Sequence, residues 1–488
     1  MDIKGLGRSP APLEGGLTRY ISTRGEAPDL GFCDVMLTGL ARDGGLYVPD
    51  TWPRFAPETI AGFFGRPYWE VAVEVIRPFV GGEITDADLG RMANEAYASF
   101  RHPAVVPLTQ IGPHQFVLEL FHGPTLAFKD VAMQLISRLM DHVLAQRAQR
   151  TTIVVATSGD TGGAAVDAFK GLENVDLIVL FPHGRISDVQ RRMMTTTGAG
   201  NVHALAIEGT FDDCQAIVKG LFNHHGFRDA VSLSGVNSIN WARIVAQVVY
   251  YFTSAVALGA PSRRVDFTVP TGNFGDIFAG LVAKRMGLPV RRLRIAANVN
   301  DILPRTLKTG IHEVREVHAT ASPSMDIQVS SNFERLLFEA SRRDAGVVRR
   351  LMASLKQSGR FVLPDAVLAD IREEFDAGRA NETETSAAIR AAWREAGTLV
   401  DPHTAVALAV ADRDTSDSRI PNIVLSTAHA AKFPDAVEAA CGVRPELPAW
   451  LEGLMTRPET IKIMKNDQAE IERFVKSVSR AAKQGVAG

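Results

Sequence analysis

Cysteine is scarce in this chain of 488 residues: Cys33, Cys214 and Cys441 stand far apart and are odd in number. No Cys-x-x-Cys pair occurs, which argues against a disulfide framework and against a thiolate zinc site. An excess of one charge is also missing. The 53 Lys and Arg meet 55 Asp and Glu, for a net charge of −2, so nothing points to nucleic acid or to an anionic membrane surface as partner. Long hydrophobic runs are few. The longest charge-free one, Ile244 to Ala260, is broken by Gln247, Thr253 and Ser254 and preceded by Arg243, and reads as a buried helix rather than a membrane span. The first residues, Met1 to Gly16, are rich in Gly and Pro and lack the apolar core of a secretory signal. No His-Glu-x-x-His occurs, and the adjacent His224 and His225 point their side chains apart, so no metal site is expected. These absences leave a globular, cytoplasmic protein, and at roughly 150 residues per domain the length suggests about three domains.

What is present is an alternation of short apolar runs with helical segments, the pattern of parallel strands joined by helices. Thr152–Ala156 leads into TSGDTGG and a helical stretch, and Val265–Val269 leads into PTGNFGD and another. A third run, Gln115–Leu120, feeds FHGPTLAFKD and a helix to about Leu144, and a fourth, Ile423–Ser426, ends in Thr427. Before them lies a region with its own pattern, including YISTRGEAPD, LTGLARDGGLYVPD and a helical run from Asp86 to Phe100, closed by the Pro-bearing stretch Arg101 to Pro107. Glu373–Ser386 and Ala411–Arg419 are charge-rich and read as solvated loops or helix surfaces.

Open parallel sheets bind ligands beyond the carboxyl ends of their strands. Four such ends carry polar groups here: Lys129, the SGDTG turn, the GNFGD turn and Thr427. Each Gly-rich turn frees backbone N–H groups at a helix N-terminus, where the dipole favours an anion, so two turns imply two anion sites. Neither turn matches the three-glycine dinucleotide fingerprint or the phosphate-binding P-loop, and glycines at such places also serve simply to turn the chain. Lys129 follows the apolar Leu126, Ala127 and Phe128 at an expected helix start. Desolvation and the positive helix end both disfavour its ammonium form, and a neutral amine there attacks aldehydes to form a Schiff base.

FHGPTLAFKD, TSGDTGG, VNSINWARIVAQVVYYF, PTGNFGDIFAG and STAHAAKF, in that order, resemble the threonine synthases of the long bacterial and fungal class. YISTRG and LTGLARDGGLYVP resemble that family's extra N-terminal domain, and the likeness runs from about Tyr20 to at least Phe433. The resemblance implies an α/β fold of the fold type II, tryptophan-synthase-β-like class: two open, twisted, mostly parallel sheets flanked by helices, plus an N-terminal α+β domain. It implies a tail over 1–17, the N-terminal domain over 18–105 and a catalytic region over 106–488, with a smaller lobe near 150–255 and a larger one formed by 106–149 with 256–488. The cofactor implied is pyridoxal 5′-phosphate. The reaction implied is that of a carbon–oxygen lyase acting on phosphate, turning O-phospho-L-homoserine and water into L-threonine and phosphate.

By motif position, Lys129 matches the family's Schiff-base lysine. Gly272, Asn273, Phe274 and Gly275 match the loop around the cofactor's phosphate, with Asp276 opening the helix, and Thr427 matches the hydroxyl that meets the pyridine nitrogen. Ser158, Gly159, Asp160 and Thr161 match the turn that receives the substrate carboxylate, and Ser238, Asn240 and Arg243 lie in the block associated with the substrate phosphate. His122, His429 and Lys432 sit beside these motifs and read equally as structural. The segment from about Asn298 to Leu399 carries little of the resemblance, should be largely helical, and leaves its role open, as does the oligomeric state, monomer or homodimer. The rival readings are a serine or threonine dehydratase of the same fold, a non-catalytic phosphoester-binding homologue and a nicotinamide oxidoreductase. The first lacks a reason for the NSINWAR block, the second for Lys129, Arg243 and Thr427 together, and the third has no glycine fingerprint to rest on.

Overall fold

Short apolar runs that stop at a glycine or a polar residue, each followed by an amphipathic stretch, fold here into two separate parallel sheets. The computed structural model describes residues 18–413 and 419–484; the expected tail over 1–17, and most of the expected loop from Ala411 to Arg419, lie outside the described residues. The larger sheet has six strands in the order Phe375–Arg379, Val290–Ala297, Val265–Pro270, Asn422–Ser426, Gln115–Glu119 and Leu108–Gln110. Its pairings are parallel except the last, which joins Leu108–Gln110 to Gln115–Glu119. The smaller sheet has five parallel strands in the order Lys462–Lys465, Val202–Glu208, Val175–Pro182, Thr151–Ala156 and Leu233–Ser234. Val175–Pro182 and Val265–Pro270 are buried along their whole length, as expected of central strands covered by helices on both faces.

The N-terminal unit is α+β. An antiparallel ribbon of Tyr20–Ser22 and Tyr47–Pro49 is followed by helices that include Tyr68–Val80 and Asp86–Tyr97. Helix Trp241–Ala257, which contains most of the charge-free run, is buried on nearly every side. It packs against Tyr68–Val80, Lys129–Gln146 and Gly275–Arg285, so it ties the N-terminal unit to helices that flank the sheets. The segment from Asn298 to Leu399 holds helices Ile302–Thr309, Phe333–Ala340, Ala345–Ser358, Asp365–Glu374 and Glu382–Ala396.

Two expectations are corrected. The stretch Glu373–Ser386 is not merely loop or helix surface, because Phe375–Arg379 is the edge strand beside Val290–Ala297. Its sequence, FDAGR, shows no apolar alternation, and an edge position half open to water does not demand one. Nor do residues 256–488 all belong with the larger sheet. Lys462–Lys465 extends the smaller sheet beside Val202–Glu208, and helix Gln468–Val478 packs on helix Phe211–Asn223. Beyond that helix, Ser479 meets Thr152 in a buried hydrogen bond of 2.8 Å, and Arg480 pairs with the buried Asp176 at 2.7 Å.

Candidate active site

The carboxyl ends of both sheets open onto one cavity of about 450 Å³. Lys129, Ser158, Asp160, Thr161, Ser238, Arg243, Gly272, Asn273, Phe274, Gly275, Asp276 and Thr427 all line it. Gly159 and Asn240 do not, and each has a structural task instead.

Lys129 is the first residue of helix Lys129–Gln146. Its ammonium lies 4.7 Å from the Phe128 ring centroid and 3.4 Å from Asp160 Oδ2. Burial lowers its proton affinity; Asp160 works against this, while Lys432 and Arg243 add to it. The segment before it is zipped to the end of strand Asn422–Ser426: Phe128 N–H donates to the Thr427 carbonyl at 2.9 Å, and His429 N–H to that of Leu126 at 3.0 Å. Lys129 and Thr427 therefore share one wall, 298 residues apart in sequence, by direct backbone pairing.

The SGDTG turn is built around Thr157, whose hydroxyl accepts from the N–H groups of Gly159 and Gly162, each at 2.9 Å. Gly159 has φ +136°, and a Cβ there would lie 2.3 Å from Gln190 Cδ. Its glycine is a conformational and packing requirement rather than a ligand contact. Asp160 opens helix Asp160–Phe169, and Lys432 reaches its Oδ1 at 2.7 Å while Gln190 donates to the same oxygen at 2.9 Å. Burial opposes ionisation of Asp160, but Lys432 and then Lys129 outweigh it and hold the carboxyl well below its ordinary range. Its carboxylate thus serves the two lysines, leaving the N–H groups not taken by Thr157 and the Ser158 and Thr161 hydroxyls of the turn for an anion.

The GNFGD turn carries Phe274 in the left-handed region, φ 64°, with its ring packed against Phe333 and Phe375. A Cβ on Gly272 would come within 2.6 Å of the Ser324 carbonyl oxygen, so the close approach at that position admits only glycine. The loop is braced from the segment the sequence left unassigned. Ser330 Oγ donates to the Gly272 carbonyl at 2.6 Å, and Asn332 Nδ2 donates to the carbonyls of Asn273 and Ser238, both at 3.0 Å. Arg335, fully buried, donates to the Asn332 side chain, to the Ile239 carbonyl at 2.7 Å and to the Tyr47 carbonyl at 3.0 Å. Glu334 accepts from Thr23 at 2.7 Å and from Arg24 at 2.9 Å. One short stretch thereby fixes the turn, the NSINWAR block and the N-terminal unit.

Asp276 sits in the first turn of helix Gly275–Arg285. Tyr250 and Tyr251 donate to its Oδ1, its Oδ2 is buried without a partner, and burial raises its pKa to about 6 in spite of the two hydroxyls. Arg243 is 2% exposed, donates once to the Val236 carbonyl at 3.2 Å and leaves Nε unpartnered. Burial lowers its pKa to about 10, so it stays a cation facing the cavity, with no carboxylate partner among the described residues. Asn240, in contrast, is spent on structure: Oδ1 accepts from Ala242 N–H at 3.0 Å as the cap of helix Trp241–Ala257, and Nδ2 donates to the carbonyls of Met36 and Gly235 at 2.8 and 3.1 Å. The expectation that it meets substrate is corrected on that ground. His122 pairs with Glu119 at 2.7 Å, and His429, its pKa lowered to about 4 by burial and then by His122, accepts from Ala431 N–H; neither lines the cavity.

Residues absent from the sequence reading also frame the site. His403 lines the cavity, meets the buried Asp401 through Nδ1 at 2.6 Å and accepts from Ser324 N–H through Nε2 at 3.2 Å. It thereby fixes the turn that presses on Gly272. The Asp-Pro-His-Thr cap at 401–404 was the signal available for it.

A buried lysine at a helix start suits an aldehyde, a glycine cradle at a helix N-terminus suits a phosphate, and a hydroxyl at a neighbouring strand end suits a ring nitrogen. The Gly272 cradle and the uncommitted Thr427 hydroxyl leave room and donors for such a cofactor. Fold and site together define a fold type II pyridoxal-phosphate-dependent enzyme.

Comparison with known proteins narrows the class. Family models described as "Threonine synthase N terminus", "Pyridoxal-phosphate dependent enzyme" and "Threonine synthase, C-terminal" match residues 19–97, 105–351 and 404–475. The threonine synthase of Pseudomonas aeruginosa is 51% identical over 458 residues, covering 94% of this chain and 98% of that one. The crystal structure of a PLP-bound threonine synthase from Brucella melitensis superposes with a TM-score of 0.92 at 61% identity, covering 95% of this chain and all of that one. For the yeast threonine synthase structure the TM-score is 0.89 at 38% identity, with 94% and 98% covered. The chain belongs to the threonine synthase family.

Proposed function

We propose that the enzyme converts O-phospho-L-homoserine and water to L-threonine and phosphate, with the residues around the cavity in the following roles. Lys129 holds the cofactor's aldehyde carbon and afterwards moves protons at the substrate's Cα and Cβ, for which a buried amine of lowered proton affinity is suited. The backbone of Gly272–Gly275 binds the cofactor phosphate at the N-terminus of helix Gly275–Arg285. Thr427 orients the ring through its nitrogen; a hydroxyl, unlike a carboxylate, does not hold a proton there. The turn at Ser158–Thr161 receives the substrate carboxylate. Arg243, a buried cation with no acid partner among the described residues, binds the substrate phosphate through its planar fork with Ser238 beside it. When bound, pyridoxal phosphate supplies the electron sink that makes the Cα proton acidic.

One observation carries the reading: a single cavity holds a buried lysine between two helix N-termini, with the Arg243 guanidinium lining it and its Nε unpartnered among the described residues. Two anion sites and one extra cation fit a phosphorylated amino acid better than serine or threonine. The deciding experiment is a phosphate-release assay with O-phosphohomoserine, run beside keto-acid formation from serine and threonine. Turnover of serine alone would move the protein to the dehydratases. A cytoplasmic location, a monomeric or homodimeric state and the absence of a nucleic-acid partner belong to the same reading. Free cysteines suit a reducing compartment, and the nearly neutral charge balance offers no footprint for nucleic acid.

A further inference from the structure

Lys432 is a lysine with no exposure at all, in a fold where lysines ordinarily keep their ammonium in water. It ends the short helix Ala430–Lys432, beyond Thr427. Its ammonium reaches back across the zipped segments to donate to the Thr125 carbonyl at 2.8 Å and to pair with Asp160 Oδ1 at 2.7 Å. The other oxygen of that carboxylate faces Lys129 at 3.4 Å. One buried acid therefore stands between two buried lysines, with one oxygen turned to each. Gln190 fixes the arrangement at Oδ1 by a 2.9 Å hydrogen bond.

Such a grouping is unusual as a stability device, because a single ion pair would have satisfied Asp160 and a second buried ammonium adds a desolvation cost. It makes sense if one of the lysines is not always charged. A lysine that binds an aldehyde and then accepts and donates protons spends part of each cycle neutral. An acid paired with that lysine alone would then be a buried, uncompensated anion, which is costly and would pull the proton back.

Resting on the reading of Lys129 given above, we propose that Lys432 is a positioning residue for Lys129: it keeps the shared Asp160 carboxylate paired whenever Lys129 gives up its proton, and so frees Lys129 to act as a neutral amine. The charged and titratable groups facing Lys129 are Asp160, Lys432, Arg243 and Asp276. Those facing Lys432 are Asp160, Asp130 from helix Lys129–Gln146 and His429 from its own loop. Asp130, its pKa raised to about 7 by burial against two hydrogen bonds from Thr125, is about half ionised at neutral pH, in the variants as in the wild type. His429 is neutral at physiological pH. Among these groups Lys432 is the one that pairs with the far oxygen of Asp160.

The test reads how fast the cofactor-free, full-length protein takes up pyridoxal phosphate, followed by visible absorbance between about pH 6 and about pH 10. Removing the Lys432 ammonium leaves Asp160 to Lys129 alone and raises the proton affinity of its amine. Lys432→Met should therefore move the midpoint of the rate profile upward by about one pH unit or more, a roughly tenfold slower uptake at neutral pH that recovers in alkali. Lys432→Arg should keep the wild-type midpoint. A Lys432→Met profile with the wild-type midpoint, or a loss equal at every pH, would overturn the proposal. Uptake that persists in Lys129→Ala would instead sink the Lys129 reading, and this one with it. Should Lys432→Met fail to fold, the double variant Lys432→Met/Asp160→Asn removes both charges of the pair. Its midpoint is expected below that of the wild type, because Lys129 then lacks its own counter-charge, and an unchanged midpoint there counts equally against the proposal.

Discussion

The two glycine turns look alike in sequence, each a strand, a tight turn and a helix with an aspartate in its first turn, yet they shift that acid's proton affinity in opposite directions. Asp160 meets two ammonium groups and an amide and stays ionised. Asp276 meets two tyrosine hydroxyls, keeps one oxygen unpartnered and is pushed toward the neutral form, to about 6. Position at a helix N-terminus would favour the anion in both cases. Partners brought from elsewhere in the chain decide the outcome. Lys432 arrives at the first turn from a distant loop, and the tyrosines arrive at the second from helix Trp241–Ala257. An acid that stays charged beside a lysine balances that lysine. An acid of raised proton affinity beside a glycine turn takes up a proton more readily than an ordinary carboxylate.

The largest effect belongs to the group both turns face. Lys129→Ala should lose cofactor absorbance and reduce phosphate release from O-phosphohomoserine by about 10⁴-fold; near-normal release would dissolve the comparison. Next come the two acids themselves. Asp160→Asn strands two buried lysines and should cost about 3–5 kcal/mol in denaturant unfolding. Asp276→Asn, which keeps an oxygen to accept from the tyrosines, should cost less than about 1.5 kcal/mol. Equal losses would show that the two acids are held alike after all.

Third, their pH signatures should have opposite signs. Asp276 has a raised pKa in the folded state, so the stability it contributes is complete below the ordinary value of about 4 and is lost as pH rises toward about 6, a loss of roughly 3 kcal/mol. Asp160 has a depressed one, so its contribution is present above about 4 and disappears as pH falls. Denaturation midpoints across this range should therefore lose their alkaline-side decline in Asp276→Asn and part of their acid-side decline in Asp160→Asn. The glycine substitutions should cost about 1–3 kcal/mol each and separate the two turns by what they disturb. Gly272→Ala should weaken cofactor retention, because its Cβ meets the Ser324 backbone. Gly159→Ala should raise KM while sparing the cofactor, because its Cβ displaces Gln190 and with it the turn around Asp160. The reverse pattern would exchange the roles of the two turns.

Local features of this arrangement were legible in the sequence, and remote ones were not. The strand–turn–helix units were readable because apolar run, glycine and helix follow one another within some twenty residues. That Lys129, Thr427 and Arg243 stand at one cavity could be expected from their motifs. Asn332, Glu334 and Arg335 carried no such signal, since their partners are Asn273, Thr23 and Tyr47, and only folding brings them near. Lys432 looked like a loop residue for the same reason. Asn240 misled in the opposite direction: it stands inside a recognisable block, but a short polar residue before a long helix is also the usual cap. The edge strand Phe375–Arg379 escaped because its glycine and its charges contradict the pattern by which strands are found.

The C-terminal completion of the smaller sheet has a consequence for the making of the protein. Four of its strands lie between Thr151 and Ser234, but the fifth, Lys462–Lys465, is more than two hundred residues further along the chain. At about 5–20 residues per second of synthesis, strand Val202–Glu208 waits some tens of seconds on the ribosome with one edge unpaired. Such an edge is a template for pairing with another nascent chain. The period between emergence of the second lobe and arrival of its last strand is when this enzyme is most exposed to aggregation, and when a chaperone would have most to protect.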